Sequence, residues 1–187
     1  MVKKIKTCVF ISGNGSNLNS LIKYSRDYSF PIKIELIITN NKKAKGLIFA
    51  KKYNIPFKFF SYRYKKNFER NALNEIQKRK IKFLCLAGFM KIQSKNFIKN
   101  FGYQIINIHP SLFPKFKGLN THKRVLKSKE KYSGCTVHYV SPTLDSGKII
   151  LQKKVLIRKN ETENSLKKKI LLQEHEIYPK SIISIFK

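Results

Sequence analysis

The chain has 187 residues, 42% of them hydrophobic, and a formal net charge of +30. That length suits one domain, residues 1–187, with a proper buried core, and no apolar run approaches the ~18–20 residues of a membrane span. The N-terminal "MVKKIKTCVFISGNGSN" starts basic, but its apolar stretch of about five residues is too short for a secretory leader, so a cytoplasmic protein is expected.

In chain order, residues 4–12 read as a buried strand opening onto "GNGSN", with a helix over 16–24. A strand over 32–39, a helix over 43–54 and a short strand at 56–61 follow. The helix over 65–80 carries apolar residues at Phe68, Ala72, Leu73 and Ile76. Continuous apolar runs at 81–89 and 103–109 have strand length. Strands alternating with helices imply βαβ units and a parallel sheet. Beyond residue 110 the pattern changes. A short helix within 117–128 precedes two strands, 133–141 and 148–157, whose short connection suggests an antiparallel pair at one edge. The last helix starts near Asn160, which forms a capping box with Glu163, and ends by Phe186. The expected fold is α/β: a Rossmann-like, mostly parallel twisted sheet, helices on both faces, an antiparallel strand pair toward the C-terminal edge.

Cys8, Cys85 and Cys135 are odd in number, far apart and set in apolar runs, so buried reduced thiols are expected. The basic residues are spread along the whole chain, with no basic arm or aromatic-interleaved patch. Asn, Ile and Phe are also abundant. This distribution favours composition bias over a nucleic-acid surface. Anionic small substrates would still be drawn to it.

"SGNGSNL" (12–18) lies between a strand and a helix, where backbone N–H groups face an anion. It lacks the Lys-Ser/Thr of a nucleotide-binding P-loop, and Leu18 stands where a dinucleotide fingerprint needs a small residue. A single phosphate on Gly15, Ser16 and Asn17 fits better; an ordinary tight turn fits equally. In "NIHPS" (107–111), Asn107 and His109 end a strand and point to one side. Pro110 restricts His109 to extended backbone. An amide donor beside an imidazole is what an oxyanion needs, although a strand-end histidine bonded to local backbone looks the same. Asp145 sits in the tight loop "TLDSGKI". It is either a turn residue or the partner that raises the His109 pKa.

"VFISGNGSNL", "LAGFMKIQS", "INIHPSLFPKFKGLNTH", "GCTVHYVSPTLDSGKIILQKKV" and "QEHEIYP" resemble, in order and over nearly the whole chain, the signatures of the phosphoribosylglycinamide formyltransferases of purine synthesis. The resemblance implies transfer of a formyl group from 10-formyltetrahydrofolate, a co-substrate, to the amino group of 5-phosphoribosylglycinamide, without a metal. It implies that Gly15, Ser16 and Asn17 hold the substrate phosphate, in a half spanning about 1–100. Met90, Lys91, Ile92 and Gln93 match the folate segment. Asn107 and His109 match the catalytic pair, with Asp145 the acid that elevates the histidine pKa. The half spanning about 101–187 would carry catalysis and folate contacts, with Asn107 also meeting folate. Glu174 matches the glutamate contacting the glycinamide end; its spacing from Ile170 and Ile177 turns it inward. Lys65 and Lys91 stand where the family often has arginine, and Ser146 where it has glycine, a position that strains serine if φ is positive. His122, His138 and His175 read as structural, with His138 placed to brace the Asp145 loop. The implied partners are small molecules, with no specific nucleic acid and no membrane, in a monomer or homodimer. The alternatives are a formyltetrahydrofolate deformylase-like hydrolase and a non-enzymatic basic nucleic-acid-binding domain.

Overall fold

The computed structural model describes residues 4–187; residues 1–3, part of the basic start, lie outside the described residues. The chain runs β1 (Ile5–Ile11), α1 (Ser16–Ser25), β2 (Ile32–Thr39), α2 (Leu47–Lys52), β3 (Phe57–Phe59), α3 (Lys65–Lys78) and β4 (Phe83–Leu86). It continues through α4 (Lys95–Phe101), β5 (Ile105–His109), α5 (Thr121–Lys127), β6 (Tyr132–Tyr139), β7 (Ile149–Leu156) and α6 (Glu163–Ile185). The strands form one sheet in the order β3-β2-β1-β4-β5-β6-β7. The first five pair in parallel, while β6 and β7 join antiparallel, as the sequence pattern implies. The order reverses between β1 and β4, which makes a topological switch point there.

Each central strand is buried on both faces. In β1, Val9 and Ile11 pack with α1, α5 and α6, while Cys8 and Phe10 pack with α3 and α4. Cys8, Cys85 and Cys135 are free thiols within these layers. Among the described residues, no helix is long and apolar enough to cross a membrane.

Two elements depart from expectation. Helix α4 lies where no element is expected, yet it is fully capped. Ser94 Oγ accepts from Phe97 N–H at 3.0 Å, and Gly102 ends the helix at φ 71°. The capping box of α6 is Thr162 with Ser165, not Asn160 with Glu163. Asn160 takes φ 67°, a left-handed turn, whereas an N-cap residue needs extended backbone. Within α6, Pro179 cannot donate to the His175 carbonyl; Ser20 Oγ of α1 donates to it instead, at 3.1 Å. That bond ties the middle of α6 to α1 beside Glu174.

Candidate active site

Across the sheet, Phe10, Leu86, Asn107 and His138 lie side by side in register. Asn107 and His109 share the face of Ile105, which α3 and α4 cover elsewhere. The loops after β1, β4 and β5 leave the sheet along one rim, beside the switch point.

The chain brings Asn107, His109 and Asp145 together, and adds His138. His109 Nδ1 lies 3.5 Å from Asp145 Oδ2, and its Nε2 lies 3.1 Å from the Phe116 carbonyl. Both ring nitrogens thus face acceptors, which only the doubly protonated ring satisfies in full. Burial nevertheless wins: desolvation pulls the His109 pKa below its ordinary value, against the opposing pull of Asp145 and the Phe116 carbonyl. The expected elevation is therefore reversed in direction, although Asp145 acts with the expected sign. Asp145 itself takes φ 47°, so the left-handed residue of the turn is the aspartate and not Ser146. Its Oδ2 also accepts from Gly118 N–H at 2.9 Å, which joins the 140–148 and 110–120 loops.

The segment after Pro110 is fastened to β6. Thr136 Oγ1 donates to the Ser111 carbonyl at 2.6 Å and accepts from Phe113 N–H at 3.2 Å. The Phe113 ring lies 5.3 Å from the His109 ring and 4.8 Å from that of His138, adding to the burial of both.

At the start of α1, Gly15 has φ 71°, and no acidic side chain occupies the first turn. The free N–H groups there suit an anion. Gly15 is required for a second reason. A Cβ on it would sit 2.5 Å from Gly46 Cα, because the loops after β1 and β2 touch backbone to backbone. Gly15→Ala is therefore expected to lower Tm by the equivalent of ~1–3 kcal/mol or more, as calorimetry would read. An unchanged Tm would mean that the two loops separate readily. Asn17 Nδ2 donates to Glu174 Oε2 at 2.7 Å, and its Oδ1 is buried without a partner. One of the two side-chain N–H groups is thus spent on Glu174, and the second, with the backbone N–H, is left to donate. Glu174 is buried, and desolvation pushes its pKa up to about 7 against the Asn17 hydrogen bond.

Met90, Lys91 and Ile92 are exposed, while Gln93 is buried with Nε2 on the Lys91 carbonyl at 3.2 Å. Lys91 Nζ lies 5.3 Å over the Tyr62 ring. Lys65 opens α3 and flanks a groove shared with Ser94 and Asn96.

Three supports escaped the sequence reading. Tyr62 O–H donates to the Ile92 carbonyl at 2.8 Å. Glu69 takes both Ser94 N–H and Ser94 Oγ at 2.7 Å. Ser12 Oγ accepts from Met90 N–H at 2.9 Å and donates to Asn40 at 2.7 Å. These bonds hold the 88–94 loop against α3 and β1.

This arrangement, an amide and an imidazole at a strand end beside a helix start whose free N–H groups suit an anion, fits an acyl-type group transferase, and the formyl transferase family model matches residues 5–182. A phosphoribosylglycinamide formyltransferase of Haemophilus influenzae is 38% identical over 93% of this chain and 84% of its own length. The solved phosphoribosylglycinamide formyltransferase of Anaplasma phagocytophilum superposes with a TM-score of 0.90 at 40% identity, covering 96% of this chain and 85% of that one. The chain belongs to the phosphoribosylglycinamide formyltransferase family within the formyl transferases. The trifunctional purine biosynthetic protein adenosine-3 of Bos taurus is 38% identical over 96% of this chain, which spans 18% of that protein's length.

Proposed function

We propose that the protein transfers the formyl group of 10-formyltetrahydrofolate to the amino group of 5-phosphoribosylglycinamide, as a cytoplasmic enzyme. The observation that carries this reading is the Asn107–His109–Asp145 cluster, set on the rim that also holds the α1 start and Glu174. Backbone N–H groups of Gly15, Ser16 and Asn17 bind the phosphate. Glu174 accepts hydrogen bonds from the glycinamide portion. The exposed Met90 and Ile92 cover the apolar part of the folate, beside Gln93.

The amine attacks the formyl carbon, and the carbonyl oxygen gains charge. Asn107 N–H and the protonated His109 stabilise that oxyanion, His109 exchanging the Phe116 carbonyl for it. Collapse of the adduct breaks the bond to the folate nitrogen, which takes the proton lost by the amine. One preorganised donor of this kind is worth about 3–4 kcal/mol of barrier. The test mixes purified protein with phosphoribosylglycinamide and the formyl donor and follows formylated product. Formate release without that product would favour the hydrolase.

Lys65 and Lys91 are expected to meet the carboxylate tail of the folate. Lys91→Arg, keeping its place over Tyr62, should tighten folate binding by ~1 kcal/mol or less, because the contact is exposed. Titration calorimetry of Lys91→Arg and Lys65→Arg reads this; no change at either would place the tail elsewhere.

A further inference from the structure

His138 is 2% exposed and lies directly opposite Asn107 in the β5–β6 ladder. Its Nδ1 is 2.9 Å from the Tyr139 carbonyl, and its Nε2 is 3.2 Å from Asn107 Nδ2. A carbonyl oxygen can only accept, so Nδ1 must carry a proton. In the neutral ring Nε2 is then bare and can only accept. The carboxamide of Asn107 must therefore turn its nitrogen toward His138, as it does.

The Tyr139 carbonyl is itself fixed. A Cβ on Gly147 would come within 1.6 Å of it, and Tyr139 N–H donates to the Lys148 carbonyl at 2.9 Å. The line runs from the Asp145 turn through Tyr139 and His138 to Asn107. The neighbouring charges are Asp145, whose Oδ1 lies 3.8 Å from Nε2, His109 and Lys117.

We propose that His138 is a positioning residue, whose Nδ1–H tautomer holds the Asn107 carboxamide so that one N–H bonds to Nε2 and the other remains for the formyl oxygen. The consequence for rate rests on the formyl-transfer reading; the orientation does not.

Long-range 1H–15N NMR of the unliganded wild-type protein should find the His138 proton on Nδ1 and Nε2 bare. A proton on Nε2 alone overturns the proposal. In activity, His138→Gln, whose Oε1 reaches the Nε2 position as an acceptor, should keep kcat within about threefold. His138→Asn and His138→Leu, which offer Asn107 nothing, should lose about 10- to 100-fold in kcat, with KM for both substrates within about threefold. Equal loss in all three variants would make His138 merely structural. If the wild type shows no formyl transfer, the functional reading fails, while the NMR result still decides the orientation.

Discussion

Asp145→Asn is expected to lower kcat at neutral pH by about 100-fold while leaving KM for both substrates near the wild-type values. The substitution keeps an oxygen for the Gly118 N–H and removes only the charge. That charge lies 3.5 Å from His109 Nδ1 and opposes the desolvation that lowers the imidazole pKa. In the proposed mechanism the ring acts on the oxyanion when protonated. With its pKa already below the ordinary value, only a minor fraction of the free enzyme is in that form at neutral pH. Without Asp145 the pKa falls further, so the working limb of the kcat profile moves to lower pH. Activity of the variant should therefore recover partly as pH falls, until the attacking amine is itself protonated. The kcat–pH profiles and the NMR titration of His109 check this together. An unchanged His109 titration would reduce Asp145 to a loop anchor.

The sequence carried the order of elements because its buried strands are continuous apolar runs, and β2 spans the expected residues 32–39. It also carried the convergence of Asn107 and His109, since residues two apart on a strand share a face. Cross-strand register was not legible. His138 reads as one residue of an alternating strand, and only the pairing with β5 sets it beside Asn107. The sign of the His109 shift was hidden for a related reason: desolvation depends on Phe113 and the 110–120 loop closing over the ring, which no local motif encodes. Gly15 was visible as a turn glycine, but its contact with Gly46 joins loops 31 positions apart. Helix α4 has seven residues, too few for periodicity to stand out, although Ser94, Gly102 and the Phe97–Phe101 spacing mark it.

Glu174→Gln is expected to make the protein more stable at pH 8 and worse at holding phosphoribosylglycinamide. Glu174 is 6% exposed, and the attraction of Lys167 is the smallest of the influences on its carboxyl. Its carboxyl is pushed from 4.5 up to about 7, first by burial, with the Asn17 N–H pulling the other way. The unfolded chain loses this proton near 4.5, while the folded chain keeps it until about pH 7. Unfolding free energy from this group therefore falls as pH rises through that window, and above it the native state carries the whole cost of the buried charge. The gap corresponds to roughly 3 kcal/mol at most. Glutamine carries no such cost, and its Oε1 still accepts from Asn17 Nδ2. Melts of the two proteins should thus nearly coincide at pH 5 and diverge toward pH 8, with the variant higher. The fold has no use for this charge, whereas a substrate presenting N–H or O–H donors does. Hydrogen bonds to a charged group are worth about 1.5–3 kcal/mol, so KM for phosphoribosylglycinamide should rise about 10- to 100-fold, with the folate KM unchanged. A variant less stable than wild type at pH 8 would show instead that the carboxylate serves the fold, through the tie between α6 and α1.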